Sequence, residues 1–162
     1  MFPEQLLNSP PSYSLDVPGN RLPVRNEALG LYSDMLAKGK RSWAFLPFSR
    51  KPRRLLELGS FKNPECALNR HYIGVQSVPI EHIQGSEGRL DDFDSAFNPL
   101  HERSRSRWLS VASVRLAGAA LPPVELIQSG DIYFVRDGHH RISVAKALGE
   151  QYIDAEVTQE TC

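Results

Sequence analysis

Two periodicities divide the chain. In "NEALGLYSDMLAKGK", residues 26–40, Leu29, Tyr32, Met35 and Leu36 recur on one face, which predicts an amphipathic helix capped by Asn26 and ended by Gly39. "KPRRLLELGS" predicts a second short helix, with Pro52 in its first turn and Gly59 after its end. From Ile73 onward the period shortens. "VPIEHI" sets Val78, Ile80 and Ile83 inward on a strand and its following turn, and "GSEGRLDDFD" is a loop rich in glycine and charge. "RWLSVASVRLAG" returns to helical spacing through Trp108, Leu109, Ala112, Val114 and Leu116. "PPVELI" and "DIYFV" predict two strands joined by a tight turn at "QSG". "ISVAKALG" predicts a helix with Ile142, Ala145 and Leu148 inward, stopped by Gly149. "YIDAEV" alternates strictly, with Ile153, Ala155 and Val157 on one face and Tyr152, Asp154 and Glu156 on the other.

The predicted order is strand, helix, strand, strand, helix, strand. That order implies an α+β fold, a small mixed β-sheet with packed helices, preceded by a helical N-terminal extension. Residues 1–25, rich in Pro, Ser and Asn, read as an irregular arm. Residues 26–72 read as a basic, partly helical extension, and 73–162 as the sheet domain.

Composition sharpens this division. The 162 residues carry 19 basic and 19 acidic side chains, so no net charge draws the whole molecule to nucleic acid or membrane. The charges are unevenly spread: Arg21 to Tyr72 holds 11 Lys/Arg against 4 Asp/Glu, and Ile73 to Cys162 holds 8 against 13. Two cysteines make no disulfide framework and sit at no metal-ligand spacing. The N-terminal residues show no signal-peptide pattern, and no stretch is long and apolar enough to span a membrane. A cytoplasmic protein is the expectation.

The chemistry concentrates in "RDGHHR", between a buried strand and a helix. A helix start exposes unpaired N–H groups and the positive end of its dipole. Gly138 removes a side chain that would hinder an approaching ligand, Arg141 offers parallel donors, and His139 and His140 add donors whose charge depends on pH. Together with Asp137 these residues form a candidate anion site. The same residues admit a plainer role, in which Asp137 caps the helix and both histidines are idle on the surface. Adjacent histidines on a helix point about 100° apart, which argues against a shared zinc ion; no metal site is expected.

These residues resemble a known family. "GHHRISVAKALG" lines up without gaps on G-E-R-R-x-R-A-A-K-x-x-G, the nucleotide-binding stretch of the ParB family, with Gly138, Arg141, Ala145, Lys146 and Gly149 matching. The resemblance covers about residues 75 to 158 and extends to the sulfiredoxins, which share the fold. It implies phosphate or nucleotide binding at the helix start. Where sulfiredoxin has its reactive cysteine this chain has His139, so cysteine-sulfinate reduction is not expected. The resemblance sets Glu and two Arg where this chain has His139, His140 and Ser143, which weakens the expected grip on a triphosphate. No helix-turn-helix follows the last strand, so centromere binding is not expected.

The loop adds a second element. Glu87 is a candidate general base, Arg89 a candidate phosphate clamp, and Asp91, Asp92 and Asp94 candidate ligands for Mg²⁺ travelling with a nucleotide, or else a solvated acidic loop. Arg105 or Arg107 is expected near the same pocket. The leading expectation is a domain binding a nucleotide or other phosphate ligand, with hydrolysis or phosphoryl transfer as the chemistry to test. The alternative is a non-catalytic regulator that meets DNA or RNA through Lys38, Lys40, Arg41, Arg50, Lys51, Arg53 and Arg54, with Trp43 stacking. A third is an interaction domain that kept the fold and lost its ligand.

Overall fold

The structure is a computed structural model that describes residues 22–44, 54–61 and 69–161. Helix α1, Leu22–Ala44, starts earlier and ends later than its pattern predicts. Pro23 sits in its first turn, where a missing N–H costs nothing. Gly39 does not end this helix. It is buried within it, and a Cβ there would lie 2.6 Å from the Pro99 carbonyl oxygen. The glycine is therefore a contact point, where α1 lies directly on the loop before α3.

The predicted helix over "KPRRLLELGS" is replaced by strand β1, Leu56–Glu57, followed by the single-turn α2, Leu58–Phe61. Strand β2, Arg70–Pro79, begins in a stretch without clear periodicity because both faces of its first half are open to solvent. The turn at Ile80–His82 separates β2 from β3, Ile83–Ser86. "VPIEHI" therefore belongs to two strands, while Val78, Ile80 and Ile83 are all buried as expected. Helix α3, Arg105–Leu116, strands β4, Val124–Ser129, and β5, Ile132–Asp137, helix α4, His139–Ala147, and strand β6, Tyr152–Glu160, follow the predicted order.

Among the described residues, six strands form one mixed sheet in the order β1-β3-β5-β4-β6-β2. β4 runs antiparallel to β5 and parallel to β6, and β6 runs antiparallel to β2. The fold is of the mixed α/β class expected; among the described residues it has four helices, with α4 and α2 on the sheet and α1 packed over α3 and α4. One face buries Val124, Leu126, Val135, Ala155 and Val157 against Ile142 and Ala145 of α4 and Phe93 and Phe97 of the loop. The other face buries Ile127 and Phe134 with Leu58 of α2.

Helix α4 is covered on two sides. Val144 packs with Trp108 and Ala112 of α3 and Ala28, Tyr32 and Met35 of α1. Trp108 donates its indole N–H to Ser143 Oγ at 2.8 Å, which satisfies the polar atom of a fully buried ring. Within residues 26–72, most of α1, all of β1 and the first residues of β2 pack with the sheet and with α3 and α4. Arg70 of β2 donates twice to Glu160 of β6, at 3.0 and 2.8 Å. Among the described residues, no helix is long and apolar enough to cross a membrane.

Candidate functional site

The β5–α4 turn is made by Gly138, whose φ of 104° lies in the left-handed region. A Cβ at this position would stand 2.5 Å from Val124 Cγ1. Glycine is therefore required by φ and by close packing on β4, and only indirectly by any ligand. No side chain caps α4. Asp137, the expected cap, turns instead to Arg141, whose Nη2 donates to it at 2.6 Å. The first amides of α4 thus keep their dipole end without a side-chain partner.

Arg141 does not project as a free clamp. Its Nη1 donates to the carbonyls of Pro122 and Pro123 at 2.7 and 2.6 Å, while Nη2 holds Asp137. The planar fork of donors suits three acceptors in one place. The guanidinium consequently braces the segment leading into β4 against the start of α4, a positioning role that its residue type alone does not reveal.

Both histidines are buried, 4% exposed at His139 and 8% at His140, so neither is an idle surface group. Burial, with Arg89 and the neighbouring His140, pushes His139 down to about 4. Burial, then Arg107 and Arg89, does the same to His140. Both rings are neutral at neutral pH, where the sequence suggested donors of changing charge. His139 Nε2 lies 2.7 Å from Ser86 Oγ. Ser86 Oγ also lies against the carbonyls of Gly88 and Val135 and accepts from the Gly88 amide, so the hydroxyl and the ring share one buried polar cluster. Phe93 stacks on the His139 ring and meets the His140 ring edge-on, at centroid distances of 6.1 and 5.3 Å. The Nε2 atom of His140 is buried with no hydrogen-bond partner. Leaving such an atom unpaired costs about 1–3 kcal/mol.

A cleft of about 770 Å³ opens over this junction. Asp137, Gly138, His139, His140, Arg141 and Arg89 all line it, so the structure brings together the six binding residues expected from sequence. Arg89 is exposed on a backbone at φ 47°, a left-handed conformation costing about 1–2 kcal/mol in a residue with a Cβ. Of the two α3 arginines considered, Arg107 lines the cleft and Arg105 does not. Ser106 and Ser110 of α3, together with Glu125 and Glu156 of the sheet, also line it, and sequence reading missed them. The α3 pair is visible in retrospect as one polar stripe with Arg107. The two glutamates share a site only through strand order.

Other expected residues lie elsewhere. Glu87 is not in the cleft lining, and its carboxylate is held by Arg70 at 3.5 Å and Arg136 at 3.1 Å. Asp94 is 2% exposed and organises its own loop, accepting from the amides of Ala96 and Asn98, from the Asn98 side chain and from Ser42. Asp92 pairs with Arg103, and Asp91 is exposed. Among the described residues, no group of three or more His, Cys, Asp or Glu is placed to hold a metal ion.

The basic segment is described only in part. Lys38, Lys40 and Arg41 are exposed on α1, with Lys40 3.8 Å from Glu102. Arg54 is exposed beside Asp94, to which its backbone is bridged. Arg50, Lys51 and Arg53 lie outside the described residues, as does the side chain of Trp43.

No family profile matches the chain, and a search of curated proteins finds no match. Among solved structures, the chain is similar to sulfiredoxin from Arabidopsis thaliana. Identity is 19%, over 51% of this chain and 82% of that one, with a TM-score of 0.37.

Proposed function

We propose that the cleft over the β5–α4 junction binds a small phosphate-bearing ligand of nucleotide size. The observation that carries this reading is the uncapped start of α4 beside a buried His140 Nε2 without a partner, in a cleft also lined by Arg89 and Arg107. Uncapped helix N–H groups and a dipole end favour an anion, and two guanidinium groups add charge-assisted donors. The cleft volume suits a nucleotide. The match of Gly138, Arg141, Ala145, Lys146 and Gly149 to the ParB-family stretch supports the same ligand class. The reading is one of binding, since Glu87 does not line the cleft.

Titration calorimetry with ADP, ATP and CTP, each with Mg²⁺, tests it. At least one nucleotide is expected to bind the wild type, and Arg107→Ala to weaken that binding about tenfold or more. Arg107 is a cleaner probe than Arg141, whose loss would also release the Pro122–Pro123 segment. No binding to the wild type, or unchanged binding to Arg107→Ala, overturns the reading.

A further inference from the structure

Ser86 and His139 have the spacing of a nucleophile and its base, with Oγ 2.7 Å from Nε2. Their position forbids that role. Ser86 ends β3 at 0% exposure and does not line the cleft, so no substrate atom reaches its oxygen. Its remaining contacts run along the chain instead. The hydroxyl lies against the carbonyls of Gly88 and Val135 and accepts from the Gly88 amide at 3.2 Å. The Glu87 amide donates to the same Val135 carbonyl at 3.0 Å. One buried hydroxyl thus ties the first residue of α4 to the turn directly before Arg89.

Arg89 is what that tie delivers to the cleft. Arg70, Arg103, Arg115, Arg136 and Arg141 are each held by a carboxylate. Arg89 lines the cleft and, among the described residues, joins no hydrogen bond or ion pair. Its charge is felt by both buried histidines, which places the guanidinium close to the start of α4. Its backbone stands at φ 47°. A residue with a Cβ keeps that conformation only where its surroundings impose it, and here they are the bonds joining Gly88, Ser86 and His139. Fixing the turn in advance removes part of the ordering cost that a free loop would meet on binding. We propose that Ser86 is a positioning residue: together with His139 it fixes the turn at Gly88 and so presents Arg89 to a phosphate at the start of α4. The proposal rests on the phosphate reading above and deepens it, by naming the device that sets one of the two cleft arginines.

Inorganic pyrophosphate, titrated by calorimetry into the full chain at low salt, reports on the phosphate contacts alone. Arg89→Ala is expected to weaken its binding about tenfold, and Ser86→Ala, which removes no contact to the ligand, about three- to tenfold. Added to Arg89→Ala, the Ser86→Ala change should have no further effect; added to Arg107→Ala, it should keep its full size. A merely structural role would weaken binding equally in both backgrounds. Ser86→Cys, with a weaker hydrogen-bonding group of similar shape, should fall between wild type and Ser86→Ala. It carries the same comparison if Ser86→Ala does not unfold cooperatively in urea. Unchanged binding in the Ser86 variants, an effect of equal size with and without Arg89, or indifference to Arg89→Ala overturns the positioning role and leaves the phosphate reading standing. Failure of both Ser86 variants to fold overturns it too, since the cluster would then support the fold alone. If the wild type binds a nucleotide but not pyrophosphate, the positioning role falls by itself; if it binds neither, the phosphate reading falls with it.

Discussion

His139 and His140 carry the residue-scale consequences. Each has its folded value lowered from 6.5 to about 4. The unfolded chain therefore binds more protons than the folded one between those values. The stability of the neutral rings is fully present above about pH 6.5 and is lost as pH falls toward 4. Thermal unfolding should show a midpoint lower by several degrees at pH 5 than at pH 7, and His140→Phe should reduce that dependence. The same variant removes an unpaired buried nitrogen, so at pH 7 it is expected to melt within about 1 kcal/mol of wild type or above it. A large loss in urea unfolding would show that His140 is structurally satisfied. Gly138→Ala should cost about 2–3 kcal/mol, because it combines a left-handed φ of 104° with a collision on Val124. That residues 137–141 gather at one junction was legible in the sequence, since a glycine and an arginine flanking two histidines at a helix start are a local pattern. Their roles were not. Arg141 finds its carbonyl acceptors 18 and 19 residues earlier, and both buried histidine rings rest against Phe93 of the loop before α3.

At the scale of elements, Gly39 reverses a familiar rule. Replacing a mid-helix glycine by alanine usually stabilises a helix by about 1 kcal/mol. Here the new methyl group would meet the Pro99 oxygen at 2.6 Å and Asn98 Cβ at 3.3 Å. Gly39→Ala is therefore expected to destabilise the protein by about 1–3 kcal/mol in urea unfolding, while raising helicity in an isolated α1 peptide. The same contact explains why the sequence pattern ended α1 too early: a glycine reads as a stop until the surface it lies on is known. Helices α3 and α4 and strand β6 were readable because their apolar residues repeat or alternate, and β4 and β5 because a short unbroken apolar run marks a strand buried on both faces. β1 was not readable, having only two residues and its pairing with β3. The first half of β2 was hidden for the opposite reason, since Tyr72 and Val75 are 63% and 57% exposed and leave no inward face to detect.

Over the whole molecule, α1 belongs to the core as much as the sheet does. Ala28, Tyr32 and Met35 cover Trp108 and Ala112, all of them 5% exposed or less. A chain beginning at residue 54 would uncover that cluster and is expected to lose cooperative unfolding, monitored by circular dichroism in urea. The uneven charge along the chain gave no sign of this packing, because charge reports the surface and says little about what lies beneath it. Strand order has a further consequence for how the molecule comes into being. Among the described residues, β2 joins the sheet only through β6, and β4 borders β6 on its other side. During synthesis on a ribosome, residues 70–79 must wait without a neighbour until residue 160 has left the exit tunnel. The sheet closes late, by one long-range event, and until then the emerging chain exposes a strand that a chaperone can recognise.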